Sequence, residues 1–224
     1  MNDVKQPGLT ARLVVTVALS IAFVGLTLAV TAGMFTSLDQ QVAITMHNAW
    51  LPQLHLPLQA VAELGGIELT GLLMLGLAVY LLRAGFGSDA LVFGVLVAAQ
   101  VLELLYKSFL HHPGPPRTFA QEDGPSLSML LSGTVGGNSF PSGHMVRTVI
   151  AFGLIAFVVR RLSTSPWVRR LALVAAVLVI VLVAFDRLYL DVHWESDVIG
   201  GLLLGGIGLV VGTVWLDRPR KAPR

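Results

Sequence analysis

Residues 168–216 read VRRLALVAAVLVIVLVAFDRLYLDVHWESDVIGGLLLGGIGLVVGTVWL. This stretch contains two apolar runs, 168–186 and 197–216, joined by a short polar segment. Each run is close to the ~20 residues that an α-helix needs to cross the hydrocarbon core of a bilayer. The stretch therefore predicts two membrane-spanning helices with polar residues gathered in the turn between them.

Four further apolar runs precede this pair, at 12–34, 65–83, 89–110 and 145–160. The 224 residues are 54% hydrophobic and 12% charged, and their mean hydropathy of +0.76 excludes an ordinary soluble domain of this length. We predict an all-α polytopic membrane protein with six transmembrane helices in a bundle. It is expected to form one domain over residues 1–224, with its motif-bearing core at about 100–216. The first run lacks a small-residue cleavage site and is expected to stay in the mature protein.

Positive residues indicate the orientation, because cytoplasmic segments carry an excess of Lys and Arg. Eleven of the fifteen fall at one face of the predicted bundle: Lys5, Arg12, Arg83, Arg160, Arg161, Arg169, Arg170, Arg218, Arg220, Lys221 and Arg224. Both termini are therefore expected in the cytoplasm. The net charge of +2 is interpreted as a topology signal, with no nucleic-acid partner.

Two long connections are expected at the outer face, residues 35–64 and 111–144. The first contains Trp50, two prolines and scattered aliphatic residues. It is predicted to be an outer connecting segment along the membrane interface, either a lid or a packing element. The second is rich in Gly, Pro and Ser and is predicted to be a loop. No pattern in the sequence indicates an oligomeric state.

Polar residues converge where the last four predicted helices meet the outer face. The set comprises Lys107, Ser142, Gly143, His144, Arg187, His193 and Asp197. Ionisable residues at membrane depth are costly, and here they gather at one end of the bundle. This arrangement predicts an active site at the outer membrane–water interface.

Two of these groups have both a chemical and a structural interpretation. A Ser-Gly-His sequence at a helix start offers free amides and a positive dipole to an anion such as phosphate, or it is a plain N-cap. His193 and Asp197 are four residues apart. On one helical turn the carboxylate can hold one imidazole nitrogen and leave the other free to attack. A lone His-x-x-x-Asp pattern is weak by itself.

The two cations also have two interpretations each. Arg187 offers a planar fork of donors to a phosphoryl group, or it extends towards lipid headgroups. Lys107 has the same alternatives, and Glu103 one turn earlier is a structural counter-charge for it. The chain has no cysteine, which excludes disulfides and thiolate catalysis.

Together these residues resemble the type-2 phosphatidic acid phosphatase superfamily. The sequence SFPSGH at 139–144 matches the second motif of that family, and Arg187, His193 and Asp197 have the spacing of its third. Asp186 stands where the family usually has Ser. The first motif is Lys, six residues, Arg-Pro. Counting from Lys107 places Gly114 where the family has Arg, and Arg117 and Arg147 are candidate substitutes.

The resemblance implies a role for each matching residue. His193 is expected to attack phosphorus, Asp197 to orient it, and His144 to act as acid and then base. The groups expected to hold the phosphate oxygens are Lys107, Ser142, the amide of Gly143, Arg187 and, as a substitute, Arg117. No metal or other cofactor is expected, since His47, His55, His111 and His112 form no constellation with carboxylates at metal-ligand spacing. The adjacent pair His111-His112 is interpreted as loop chemistry or phosphate solvation.

The resemblance predicts a metal-independent lipid phosphate or pyrophosphate phosphatase that works through a phosphohistidine. The substrate is expected to be a prenyl pyrophosphate or a phospholipid phosphate in a bacterial inner membrane, with membrane lipids as the other partners. A lipid phosphotransferase that passes the phosphate to a lipid or sugar hydroxyl is the first alternative. A transporter or scaffold with a vestigial anion site and a haloperoxidase are less favoured, the latter because those relatives are soluble.

Overall fold

The computed structural model describes residues 8–116 and 137–219. Within these residues the chain is helical, and its extended pairing is a single isolated bridge between Pro113 and Asn138. The helices are α1 (Leu9–Thr31), α2 (Thr36–Asn48), α3 (Pro52–Ala62), α4 (Ile67–Arg83), α5 (Phe93–Phe109), α6 (Gly143–Leu162), α7 (Pro166–Tyr189) and α8 (Glu195–Leu216). Short 3-10 turns, Glu63–Gly65 and Gly87–Val92, precede α4 and α5.

The six predicted apolar runs correspond to α1, α4, α5, α6, α7 and α8. Helix α6 is longer than the apolar run 145–160 that predicted it, since it begins at Gly143 and ends at Leu162. Its first turn is polar and its last turn carries two arginines, so the apolar pattern stops before the helix does. The segment 35–64 contains α2 and α3, for which the sequence analysis assigned no defined helices.

Four of the described helices are long and apolar enough to cross a membrane: α1, α5 with its preceding 3-10 turn, α7 and α8. A fifth span results if Pro52–Gly65 and Ile67–Arg83, which meet at a bend of 42°, are taken as one. Helix α6 is not among them; it carries His144, Arg147 and two terminal arginines. The count of six spans therefore stays a prediction.

Helix α6 lies at the centre of the bundle and packs mainly against α7 and α8. Its residues from Met145 to Ala151 are all buried, whichever way they face. The outer helices instead expose apolar side chains, such as Ile21 on α1 and Leu171 on α7, which are 69% and 68% exposed. Apolar surface on this scale fits contact with lipid rather than water.

Glycines on α8 let this helix approach α6 closely. A Cβ atom at Gly201 would lie 2.6 Å from both the Met145 Cβ and the Ser142 carbonyl oxygen, and one at Gly205 would lie 2.8 Å from the Val149 Cβ. Such small residues are typical of packed membrane helices. The close approach places the start of α6 directly beside the start of α8, where the second and third motifs lie.

Ion pairs connect the helices at the end of the bundle that lies away from the second and third motifs. The buried carboxylate of Asp89 lies 3.0 Å from Arg161 and 3.2 Å from Arg218, and Arg12 pairs with Asp217 at 2.6 Å. These pairs join α1, α6, the 3-10 turn before α5 and the segment after α8. The helices are thus held at the end distant from the motifs.

Candidate active site

The turn between α7 and α8 presents the third motif. The carbonyl oxygen of Arg187 accepts the amides of Val192 at 3.3 Å and His193 at 3.2 Å. Asp191 has a φ of 57°, a left-handed conformation that Asp tolerates better than most residues. This tight turn brings Arg187 and His193 next to each other at the end of the hairpin.

Asp197 orients His193 and also caps α8. Its Oδ2 accepts the Trp194 amide at 2.9 Å and lies 3.3 Å from Nδ1 of His193. The carboxylate is completely buried, while the His193 side chain is 10% exposed. With Nδ1 facing the carboxylate, Nε2 is the nitrogen left for chemistry. Asp197 therefore contacts both the start of α8 and the His193 imidazole, and its catalytic role stays a prediction.

Burial lowers the pKa of His193 below its ordinary value, and the hydrogen bond and charge of Asp197 raise it in opposition. The positive charges of Lys107 and Arg187 lower the pKa further. The net shift is downward, which keeps the imidazole neutral near neutral pH. A neutral imidazole has the lone pair that a nucleophile requires.

The second motif lies at the start of α6, next to the backbone of Asp197. The Ser142 amide donates to the Asp197 carbonyl oxygen at 3.0 Å, which joins the two motifs directly. Ser142 is the residue before the first helical turn, whose amides have no partner within the helix. Its Oγ atom is buried and has no hydrogen-bond partner among the described residues. Anion binding at this helix start stays a prediction.

Arg147 lies behind His144, one turn further along α6. Its Nη2 is 3.4 Å from His144 Nδ1, its Nε donates to the Gly65 carbonyl oxygen at 3.0 Å, and its Nη1 donates to Gln100 at 2.8 Å. Nη1 also lies 3.4 Å from a Glu103 oxygen. Each nitrogen of Arg147 is directed at a group of the protein, so the guanidinium is placed to support His144 more than to bind phosphate itself.

The other two predicted cations each have a carboxylate neighbour. Lys107 is paired with Glu103 at 2.6 Å, as the spacing of one turn predicted. Arg187 is buried, and its Nε donates to Asp186 Oδ2 at 2.7 Å. Asp186, the departure from the family pattern, therefore contacts the motif arginine directly.

The segment after α5 is tied to the other two motifs. The Asn138 side chain donates to the Lys107 carbonyl oxygen at 2.8 Å and accepts the His112 amide at 3.0 Å. The indole of Trp194 donates to the Pro113 carbonyl oxygen at 2.9 Å. A Cβ atom at Gly114 would meet Ser139 Cβ at 3.4 Å, an ordinary contact distance. The position of the missing motif arginine thus lies beside the second motif.

The structure brings most of the predicted site together. Charges of Arg187, His193 and Lys107 all act on His144, and those of Lys107 and Arg187 act on His193. Arg117 lies outside the described residues, so its predicted role stays a prediction. No group of three or more potential metal ligands occurs within 8–116 and 137–219. Metal independence stays a prediction as well.

Three residues at the site were not predicted from the sequence: Asn138, Asp39 and His112. Asp39 on α2 accepts the amide and hydroxyl of Ser196, both at 2.9 Å, and so holds the start of α8. His112 was interpreted as loop chemistry or phosphate solvation, and it lies 3.4 Å from Asp197. Their partners are distant in sequence, so no local spacing indicated these contacts.

Comparison with known proteins shows which family the chain belongs to. The model of the PAP2 superfamily, named for type-2 phosphatidic acid phosphatases, matches residues 70–221. The chain belongs to the PAP2 superfamily. The resemblance inferred from the motifs is thereby confirmed.

Two curated relatives match over a shorter region. Phosphatidylglycerophosphatase B of Bacillus subtilis is 38% identical over 68 residues, which are 30% of this chain and 34% of that protein. An undecaprenyl-diphosphatase of Sulfolobus acidocaldarius is 41% identical over 68 residues, 30% of this chain and 28% of that protein. The chain thus spans about a third of the length of the curated relatives it matches.

A solved structure matches far more of the chain. The crystal structure of a transmembrane PAP2-type phosphatidylglycerolphosphate phosphatase from Bacillus subtilis superposes with a TM-score of 0.72 and is 23% identical. The match covers 88% of this chain and 94% of that one. It shows a shared fold, and together with the apolar helices it identifies an integral membrane protein.

Proposed function

We propose that this PAP2 protein is a metal-independent lipid phosphate or pyrophosphate phosphatase that works through a phosphohistidine at His193. The observation that carries the proposal is the 3.3 Å approach of Asp197 Oδ2 to His193 Nδ1, at a position where the charges of Lys107 and Arg187 also act on His193. It leaves Nε2 as the nucleophile. Arg187 and Lys107, both buried, are proposed to bind the phosphate oxygens.

In the first step, the lone pair of His193 Nε2 attacks phosphorus and forms a P–N bond. The P–O bond to the lipid breaks, and its electron pair stays on the leaving oxygen, which takes a proton from His144. Asp197 stabilises the positive charge that develops on the His193 ring. Ser142 Oγ, the Gly143 amide, Lys107 and Arg187 stabilise the negative charge on the phosphoryl oxygens.

In the second step, water attacks the phosphohistidine in line with the P–N bond. His144 now accepts a proton from that water, the P–N bond breaks, and its electron pair returns to His193. Inorganic phosphate leaves and the enzyme is restored. One residue therefore acts as acid in the first step and as base in the second.

Placement at a membrane interface supports a lipid substrate. A lipid with its tail in hydrocarbon can present its headgroup to a pocket at the ends of α5, α6, α7 and α8. The names of the two curated relatives indicate a phospholipid phosphate and a prenyl diphosphate. Both substrates present a terminal phosphate, which is the part that the motif residues would bind. The site is proposed to face outward, with both termini in the cytoplasm.

The test is phosphate release by purified protein in detergent with chelator present. The panel contains phosphatidylglycerol phosphate, undecaprenyl pyrophosphate and phosphatidic acid. We expect release from at least one of them and none from His193→Ala, whose melting temperature should match the parent. Equal release by His193→Ala would overturn the mechanism.

The phosphotransferase alternative has its own outcome in the same assay. An enzyme of that kind would release no phosphate from any lipid in water. It would form a phosphorylated product once a lipid or sugar acceptor is added. Acceptor-dependent transfer without hydrolysis would replace the phosphatase proposal with this alternative.

A further inference from the structure

A second histidine faces the carboxylate that holds the proposed nucleophile. His112 Nε2 lies 3.4 Å from Oδ1 of Asp197. His193 and the Trp194 amide approach the other oxygen, Oδ2. The carboxylate thus lies between two imidazoles, one from the segment after α5 and one from the turn before α8.

Hydrogen bonds of its backbone and a ring contact hold His112 in position. Its amide donates to Asn138 Oδ1 at 3.0 Å, and its carbonyl oxygen accepts the Ser139 amide at 2.8 Å. The edge of its ring meets the ring of Phe140, with centroids 6.2 Å apart. These contacts hold both sides of the residue against the second motif, so its approach to Asp197 is built into the fold.

The two facing atoms have no other hydrogen-bond partner in the described part of the chain. His112 Nε2 and Asp197 Oδ1 are both buried and unpaired there by strict hydrogen-bond geometry. A buried carboxylate oxygen without a donor is costly, and contacts in a free active site often tighten only when substrate binds. Each atom is therefore the available partner of the other.

We propose that His112 is a positioning residue that donates its Nε2–H to Asp197 Oδ1. This donation holds the carboxylate so that Oδ2 stays on Nδ1 of His193 during attack. It also stabilises the negative charge of Asp197, which favours keeping the Nδ1 proton on His193 as its ring becomes positive. The inference rests on the proposed function, because it assigns a role in forming the phosphohistidine.

The test compares His112→Ala with His112→Gln in steady-state phosphate release. Removing the donor should lower kcat about 10- to 100-fold, the usual range for a hydrogen bond to a charged group. KM should change by less than about twofold, because the proposed role of His112 acts through Asp197 and not through a contact with the substrate. Glutamine can supply an N–H near the same place, so His112→Gln should recover most of kcat. His111→Ala, at the exposed neighbouring position, is the matched control and should resemble the parent.

Two results would overturn the inference. One is a parental kcat in His112→Ala. The other is an equal loss of kcat in folded His112→Ala and His112→Gln, which would show that the donor is not what matters. Failure of the mechanism itself gives a different result, because His193→Ala would then keep its activity whatever the His112 variants do.

Discussion

At the scale of single residues, Asp197 contacts both a helix start and the proposed nucleophile. Its Oδ2 caps the first turn of α8 through the Trp194 amide and also lies beside His193 Nδ1. Truncation to Ala would remove both contacts, so the loss of the helix cap and the loss of the contact with His193 could not be told apart. Asparagine keeps an acceptor for the cap while it removes the charge, so Asp197→Asn is the informative variant.

The charge of Asp197 should be visible in the pH dependence of activity. In the proposed mechanism the neutral form of His193 is the nucleophile. Burial lowers the pKa of His193, so kcat/KM should rise with pH around a midpoint below the ordinary histidine value. Asp197 raises this pKa. Asp197→Asn should therefore shift the midpoint to still lower pH while it decreases the rate.

The measurement is kcat/KM against pH for the parent and Asp197→Asn on one substrate. Ionisation of the free substrate affects both profiles equally. The difference between their midpoints therefore reports the change in the pKa of the enzyme group. A midpoint that moves upward in the variant would contradict the assignment of His193 as the group that must be neutral.

The missing arginine of the first motif gives a second prediction at this scale. Arg147 has protein partners for each of its nitrogens, which favours Arg117 as the substitute. Arg117→Ala should then reduce kcat/KM about as much as Arg187→Ala, by roughly 100-fold for a lost charge-assisted contact. The position of Gly114 has room for a Cβ atom, and its backbone is not left-handed.

The double variant Gly114→Arg/Arg117→Ala provides the control. Placing arginine back at the family position should restore much of the activity that Arg117→Ala loses. Unchanged kcat/KM in Arg117→Ala would show that the loop supplies no substitute guanidinium.

At the scale of the elements, the close packing of α6 against α8 sets the distance between the second and third motifs. A methyl group at Gly201 would lie 2.6 Å from the backbone oxygen of Ser142, whereas one at Gly206 would meet Leu19 at an ordinary 3.4 Å. The two glycines are on the same helix, so they form a matched pair for testing this contact.

Gly201→Ala should destabilise the protein by about 1–3 kcal/mol, the usual cost of overpacking. It should also decrease kcat, since α8 would have to move away from Ser142. Gly206→Ala should be neutral or slightly stabilising because Ala is the better helix former. Thermal unfolding in detergent and phosphate release measure the two effects. Equal behaviour of both variants would show that the close approach is not required.

The elements also show what sequence patterns can and cannot predict. Apolar runs predicted α1, α4, α5, α6, α7 and α8, because helices of a membrane bundle are largely apolar whether they face lipid or the bundle interior. Helices α2 and α3 have no such run. Their attachment includes contacts between residues far apart in the sequence, such as Asp39 with Ser196, which are separated by 157 positions, and no local spacing indicates such contacts.

Some residues of the candidate site were also predictable from the sequence, and others were not. Motif spacing predicted His144, Arg187, His193 and Asp197, and the structure places them at adjoining helix ends. His112 was not predicted as a partner of Asp197. Its position follows from the packing of one loop against another, through Asn138 and Ser139. Such contacts become visible only when the helices are assembled.

At the scale of the whole molecule, charge differs between the two ends of the bundle. One end has the cluster of Asp89, Arg161 and Arg218, and the other has the motif residues. The excess of Lys and Arg at the first end predicts that it faces the cytoplasm. The chain has no cysteine, so a single introduced cysteine reports its own location.

Labelling of intact spheroplasts with a membrane-impermeant maleimide tests this orientation. His111→Cys, near the site, should react from outside, and Thr164→Cys, in the exposed turn between α6 and α7, should react only after permeabilisation. Phosphate release by both variants verifies that they are folded. The reverse labelling pattern would place the site in the cytoplasm.

The most direct test of the central claim is to trap the covalent intermediate. Purified protein is mixed with lipid carrying a radiolabelled terminal phosphate, quenched in alkali, where phosphohistidine is stable, and mapped by peptide. We predict label on the peptide that contains His193 and none in His193→Ala. Rapid turnover by the parent with no trapped label, together with full activity of His193→Ala, would contradict the account.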